Sequence, residues 1–322
     1  MHRRDRSTDA GDGLAPLGRW RSERARRRYA AAQATVAERA WAELAAHGRL
    51  RPPDEVTIPT PYGPTHAYRW PGAGPPLVLL HGAGTSSLMW VPLVAGLPAR
   101  EVVAVDIVGE PGRSTQTAPI TTADDLARWC AATLDGLGVA RGHLVGASYG
   151  GYLAFRTAQR APERVAAACL VEPVLDPLRP GFWRVGLQAG VALALPRRFG
   201  DPRLRRLGLG VLADHPDART VALLGQTRFR RGLPRPSSVS DAEIADFAVP
   251  LCVVLGADSP IHDAGRLAAR IRRARPDAVV EVLAGTGHTV PVDAADRVAP
   301  CVAAFLDGLA AGGGGPAVRP AP

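Results

Sequence analysis

Ser148 stands in HLVGASYGGY (143–152), a G-x-S-x-G pentapeptide set between a short apolar run and an alanine-rich segment. A serine hydroxyl can attack a carbonyl carbon if the backbone beneath it turns sharply from strand into helix. The residues two positions to either side must then be small, because strand and helix pass closely. Gly146 and Gly150 meet that need. The start of the helix would also aim free N–H groups and the positive end of its dipole at the serine, which favours an anion there. A chain this rich in glycine can produce the pentapeptide by chance, so the partners decide.

A serine hydroxyl is a poor nucleophile at neutral pH and needs a base. Of the eight histidines, His288 is the best placed: it lies in AGTGHTVP, past the last apolar run and before the final helical segment. His262 is a weaker candidate. His81, in LLHGAG, also ends an apolar run, but a His-Gly turn there suits the display of backbone N–H groups to the anion formed when a carbonyl is attacked. Donors from Ala83 (or Gly84) and from Tyr149 would form that oxyanion hole. His143 begins a run, and His2, His47, His66 and His215 have no comparable setting.

The elements that must position these residues alternate along the chain. EVTIPT and THAYRW alternate as strands around Pro61-Tyr62-Gly63-Pro64, predicting an antiparallel hairpin. PLVLLHG (76–82), EVVAVDIVG (101–109), HLVGA (143–147), VAAACLVEP (165–173), PLCVVLGAD (250–258) and AVVEVLAG (278–285) are short apolar runs that suit strands covered on both faces. Helical segments separate most of them, one opening at Thr122 as a cap, which predicts a mainly parallel α/β sheet.

Residues 176–245 break the rhythm with Arg, Pro, Gly and helical pieces but no convincing strand. They read as an insertion between sheet strands, a helical lid beside the strand C-termini. Its Phe182, Trp183, Leu187, Leu193, Phe199 and Phe229 could line a pocket or form the lid's own core. Trp20 to His47 is helical, closed by Gly48, with Tyr29, Val36, Ala40, Trp41 and Leu44 as an apolar face. The divisions expected are a disordered 1–18, an N-terminal helical extension over 19–51, a core of 52–175 and 246–310, the lid over 176–245, and a flexible tail over 311–322.

The chain order Ser148, Asp258, His288, with LLHGAGTSSLMW, VDIVGEPGRS (105–114) and GASYGG, resembles the α/β-hydrolase superfamily, and within it bacterial carboxylesterase-type serine hydrolases with an N-terminal helical extension. The likeness spans residues 20–309. It implies an α/β-hydrolase fold: a mostly parallel eight-stranded sheet flanked by helices, with a helical lid insertion. It also implies hydrolysis of a small or medium carboxylic ester through an acyl-enzyme, without metal or cofactor. The same constellation could instead serve C–C bond cleavage, lactone opening or acyl transfer, or survive in a non-catalytic binding module.

The acid is the least regular part of the pattern. Relatives often carry it three residues past the glycine that ends its strand, and here the residue three past Gly256 is Ser259. Asp258 comes one residue early and is the first choice. Glu172, at the end of the preceding strand in ACLVEPV, is the alternative, and Asp263 a third. Whichever it is would hold the far nitrogen of His288 and stabilise the imidazolium. Asp106 and the GEPGRS loop read as structural, with Arg113 and Ser114 at the pocket's edge, and Trp90 reads as core.

Composition bounds the rest. At 322 residues and 46% hydrophobic, the chain can bury one large core or two modest ones. It has no apolar run long enough for a membrane span, and its opening MHRRDRSTDAGDG has no apolar stretch behind the arginines, so neither a membrane nor a secretory signal is expected, and a cytoplasmic location is. Cys130, Cys169, Cys252 and Cys301 are far apart in apolar stretches, which suits buried thiols rather than disulfides or a metal cluster. The net charge of +9 is carried entirely by arginine, concentrated in 1–51 and 176–245, outside the core. With no zinc-finger or RNP-type motif, a solvated surface is the expectation and a nucleic-acid partner is not. No pattern bears on oligomeric state.

Overall fold

A computed structural model describes residues 17–46, 51–97, 100–207 and 209–311. The expected disordered start, the flexible tail beyond 311, His2, His47 and the helix-closing Gly48 lie outside the described residues, as do the side chains of Phe182 and Trp183. Among the described residues ten strands run in chain order: β1 (Arg19–Trp20), β2 (Asp54–Ile58), β3 (Thr65–Trp70), β4 (Ala73–Leu80), β5 (Arg100–Val105), β6 (Gly142–Ala147), β7 (Val165–Val171), β8 (Phe229–Arg230), β9 (Leu251–Gly256) and β10 (Val279–Leu283). Eight form one sheet in the order β10-β9-β7-β6-β4-β5-β3-β2; β2–β3 and β3–β5 pair antiparallel and all other neighbours are parallel.

The helices are α1 (Glu23–Ala46), α2 (Val91–Gly96), α3 (Ala123–Gly136), α4 (Tyr149–Arg160), α5 (Pro180–Ala194), α6 (Arg197–Arg206), α7 (Gly210–Asp214), α8 (Pro216–Arg228), α9 (Asp241–Ala245), α10 (Ala264–Ala274), α11 (Val290–Asp293) and α12 (Ala295–Ala311). The period-2 geometry of a strand divides each apolar run between two layers. Val78, Leu80, Leu144 and Leu170 face one core together with Leu126, Trp129, Leu153 and Leu267 of α3, α4 and α10. Leu77, Leu79, Val145 and Val171 face the other, with Trp90, Leu93, Val298 and Phe305. Trp90 is fully buried there, as its helical spacing suggests. Cys130, Cys169 and Cys252 are buried free thiols and Cys301 is a partly buried one.

The chain leaves β4 for β5 on one side and reaches β6 on the other, so the crevice beyond the C-terminal ends of β4 and β6 is a topological switch point, where ligands bind in open α/β sheets. Three loops meet there, following β4, β5 and β6.

Residues between β7 and β9 hold α5 to α9 and the two-residue β8. Leu193 belongs to a small core of this insertion, with Ala192, Leu204 and Ala213, whereas Leu187 and Phe199 are exposed. Arg219 closes the insertion by donating from Nη2 to the carbonyls of Ala192, Leu193 and Leu195, the last acceptors of α5. Trp20 lies in β1 and not in the expected helix, which begins at Glu23, and the short β8 likewise escaped the sequence reading because two residues carry no periodicity. It pairs antiparallel with β1, and Phe229 packs edge-on against Trp20, which in turn touches Tyr29 of α1. α1 therefore lies along α8, and its Trp41 sits edge-on to Tyr68 and Trp70 of β3. No helix among the described residues is long and apolar enough to cross a membrane.

Thr122 caps α3 reciprocally: its Oγ1 accepts from the Asp125 N–H at 3.1 Å and its own N–H donates to Asp125 Oδ2 at 3.0 Å. Thr122→Ala is expected to cost about 1 kcal/mol of stability, read as a lower urea midpoint with an unchanged slope.

Candidate active site

Ser148 is the corner between β6 and α4, and its backbone adopts φ 52°, ψ −112°, a left-handed φ that a non-glycine residue holds only when its surroundings enforce it. The enforcement is visible. A Cβ on Gly150 would stand 2.0 Å from the Leu80 carbonyl oxygen, and one on Gly146 2.2 Å from that of Gly150, so only glycine lets the helix start this close to the strands. Ser148 N–H donates to Val171 O at 3.0 Å, and Ser148 O accepts from the N–H groups of Tyr152 and Val174. The hydroxyl is thus presented half-buried at the switch point.

His288 approaches from the turn after β10. Its Nε2 is 3.1 Å from Ser148 Oγ, and its Nδ1 is 3.1 Å from Glu172 Oε2. A carboxylate only accepts, so Nδ1 carries the proton and Nε2 turns its lone pair to the serine hydroxyl.

Glu172, directly after β7, shares the unusual positive φ of 52° and is fully buried. Its Oε1 accepts from Gly256 N–H (2.6 Å) and His262 Nε2 (3.1 Å), and its Oε2 from Ser259 Oγ (2.6 Å) as well as from His288. Burial alone pushes this carboxyl up. The hydrogen bonds and positive charge offered by His262 and His288 outweigh it and hold the group down at about 2.

The structure corrects the order of the candidate acids. Asp258 is exposed on the turn after β9, anchored through its backbone N–H to Thr286 O, and it is Glu172 whose carboxylate meets His288. The physical reason lies in Ser259, which occupies the place three past Gly256: its hydroxyl donates to Glu172, so the turn after β9 supports a carboxylate from β7 instead of supplying one. Asp263 caps α10 by accepting from Arg266 N–H. His262 reaches the site as a second imidazole on Glu172, while it is His288 that meets the serine hydroxyl.

Ala83 follows β4, and its N–H has no acceptor among the described residues. Tyr149 is the first residue of α4, where a helical N–H has no intrahelical acceptor. Gly84, the alternative to Ala83, is occupied, since its N–H donates to Glu110 Oε2 at 2.9 Å. His81 is buried and structural. Its Nδ1 donates to Gly82 O (2.8 Å), its Nε2 accepts from Ile107 N–H (2.9 Å), and burial pushes its imidazole down into the neutral form.

Asp106 is likewise a scaffold. Its carboxylate accepts from Ser87 N–H and Oγ and from Arg113 N–H; burial raises it, but His66, His81 and Ser87 bring it down to about 2. Ser114, expected at the pocket's edge, ties β3 to this loop by accepting from His66 N–H and donating to Asp106 O. Sequence reasoning missed Glu110 and Arg231, which pair beside the site; the glutamate in GEPGRS was the available signal. Among the described residues no group of three or more His, Cys, Asp or Glu side chains is gathered so as to hold a metal ion.

Comparison with known proteins bears on the family and the fold. Residues 77–300 match the model of the Alpha/beta hydrolase family, and the chain belongs to that family. An uncharacterized carboxylesterase (nap) of Bacillus subtilis strain 168 is 30% identical over 251 residues, covering 73% of this chain and 81% of the relative. Carboxylesterase YbfK of the same organism is 27% identical over 262 residues, 78% of this chain and 87% of that one. Among solved structures, naproxen esterase (carboxylesterase NP) from Bacillus subtilis superposes with a TM-score of 0.73 at 27% identity, over 87% of this chain and 97% of its own.

The lowered carboxyl of Glu172 has a consequence for stability. A group held below its unfolded value of about 4.5 stabilises the fold fully above that value, and the contribution is lost as pH falls through about 2. Urea unfolding between pH 6 and 2.5 should therefore show wild-type stability falling from about pH 4.5 downward. Glu172→Gln should be less stable at pH 7 and lose less over the same interval, with the other carboxylates held below their ordinary values, Asp106, Asp125 and Glu243 among them, supplying the remaining slope. An identical acid slope in the two proteins would contradict ionisation of Glu172 in the folded state.

Proposed function

We propose that the protein hydrolyses small or medium carboxylic esters, with Ser148 as nucleophile, His288 as general base and acid, and Glu172 as the group that orients and stabilises the imidazole. The observation that carries this reading is the continuous hydrogen-bonded path from Ser148 Oγ through His288 to a buried, ionised carboxylate, with both links at 3.1 Å. The relatives named carboxylesterases support the same reaction class.

As Ser148 Oγ attacks the ester carbonyl, its proton passes to His288 Nε2, and the imidazolium is balanced by Glu172 through Nδ1–H. The carbonyl oxygen becomes an anion, and the N–H groups of Ala83 and Tyr149 receive it, aided by the dipole of α4. His288 then returns the proton to the departing alkoxide oxygen, leaving an acyl-enzyme and an alcohol. Water, deprotonated by the same nitrogen, attacks the acyl carbonyl, and collapse of the second tetrahedral anion releases the acid and restores Ser148. The helical insertion over 176–245 acts as a lid: α8 packs at the oxyanion loop, where Gln226 Nε2 lies 3.5 Å from Ala83 O and Gly225 abuts Gly84.

Three variants separate the roles on a short p-nitrophenyl ester. Ser148→Ala is expected to lower kcat by several orders of magnitude and to abolish labelling by a fluorophosphonate probe. Glu172→Gln, which keeps the shape but no longer fixes the tautomer, should lower kcat by roughly 10²–10⁴-fold. Asp258→Asn should leave kcat/KM unchanged. Full activity in Ser148→Ala, or a deep loss in Asp258→Asn with none in Glu172→Gln, would refute the assignment.

A further inference from the structure

The mechanism above leaves an ion pair with a buried carboxylate unused beside the site. Glu110 lies in the loop after β5 with its side chain wholly inaccessible, while Arg231 follows β8 on the return from the insertion with its side chain 38% exposed. The two carboxylate oxygens are divided between two jobs. Oε2 accepts the Gly84 N–H at 2.9 Å, and Oε1 accepts Arg231 Nε at 2.5 Å together with Nη2. The guanidinium carbon in turn stands 4.9 Å from the centre of the Tyr149 ring.

One ion pair thus touches both peptide segments that carry the oxyanion donors: Gly84 is the neighbour of Ala83, and Tyr149 carries the other N–H itself. The contacts are directional. Gly84 has a positive φ of 71°, and the bond from its N–H to Glu110 fixes the peptide plane joining it to Ala83. The guanidinium over its face and the bond from Tyr149 Oη to Pro234 O (2.9 Å) both hold the Tyr149 side chain. Arg231 is itself delivered by a tethered segment, since Gly232 N–H donates to Gly109 O (3.0 Å) and Gln116 Nε2 donates to Gly232 O (3.1 Å). Oxyanion donors act through pre-set geometry, so a group that fixes both at once bears on the transition state more than on the bound ester.

We propose that Glu110 and Arg231 are positioning residues that hold the two halves of the oxyanion hole in register and make that register depend on the seating of the lid. This rests on the reading that Ala83 and Tyr149 N–H groups receive the anion in ester hydrolysis. A charged residue at the mouth could instead anchor an anionic substrate group, and the two roles give different kinetics.

The test uses the full chain and the variants Arg231→Met, Arg231→Lys, Glu110→Gln and the doubly neutral Glu110→Gln/Arg231→Met. The double variant leaves no buried charge unpaired, so it keeps the test open if Arg231→Met alone fails to fold. Each is assayed for kcat and KM on p-nitrophenyl butyrate, for inhibition by a trifluoromethyl ketone that mimics the tetrahedral anion, and for melting temperature. Arg231→Met and Glu110→Gln should each lower kcat about 10- to 100-fold, and weaken the ketone in step with kcat/KM. KM should stay within about twofold, and the double variant should be no worse than the worse single one, because the pair acts as a unit. Arg231→Lys should recover only part of kcat, since an ammonium keeps the charge but not the paired Nε and Nη2 contacts to Glu110.

A folded double variant with wild-type kcat, additive losses in the two singles, or a loss confined to KM and larger for esters bearing a carboxylate would each overturn the proposal. Fluorophosphonate labelling of wild-type Ser148 separates the two levels. An unlabelled wild type would overturn the hydrolase reading and this assignment with it, whereas a labelled wild type whose variants keep kcat would overturn this assignment alone.

Discussion

A single ionised carboxylate, shut away from water, draws the C-terminal ends of several strands to one point. Glu172 offers two oxygens, and four donors from three other stretches of chain converge on them: the end of β9 at Gly256, the turn carrying Ser259 and His262, and the turn after β10 at His288. A buried charge without such partners would neutralise or force the chain open. The positive φ that Glu172 adopts is therefore held from outside, by the bond from its N–H to Val254 O of β9 on one side and by the hydrogen-bonded carboxylate on the other. His288 is delivered to the serine as part of that arrangement.

The other wall of the crevice follows the same rule. Asp106, also buried and ionised, gathers Ser87 and the Arg113 backbone, and so fixes the loop after β5 against the start of the segment that carries Trp90. Glu110, four residues on, fixes the loop after β4. Three buried carboxylates at the ends of parallel strands thus do what backbone pairing cannot do where the sheet stops: they satisfy the N–H groups of irregular turns and hold those turns rigid.

Much of this was legible in the sequence because it is local. The glycines flanking Ser148, the apolar runs of the parallel strands, the Thr122 cap and the burial of Trp90 are each set by a few consecutive residues and one geometric period. Which carboxylate meets His288 was not, since Asp258, Glu172 and Asp263 all stand at strand ends or turns. The choice depends on where the turn after β9 points its side chains, and the decisive sign was the hydroxyl at 259, a residue that looks inert in sequence. The insertion was harder still. Leu187 and Phe199 are turned outward while Leu193 is packed within, and no spacing in so arginine-rich a stretch separates the two fates. The Arg231–Glu110 contact joins positions more than a hundred residues apart and leaves no periodic trace.

The pairing of β1 with β8 bears on how the molecule comes into being. Arg19 and Trp20 are among the first described residues to leave a ribosome, yet their partners, Arg230 and Phe229, emerge only after β6, Ser148 and helices α5 to α8 have been made. Until then α1 has no α8 to lie on, and Tyr29 waits for the Trp20–Phe229 contact to shelter it. A nascent polypeptide halted short of residue 229 would thus leave the start of α1 without its Trp20–Phe229 cover, and only the Trp41 end of the helix could dock, on β3.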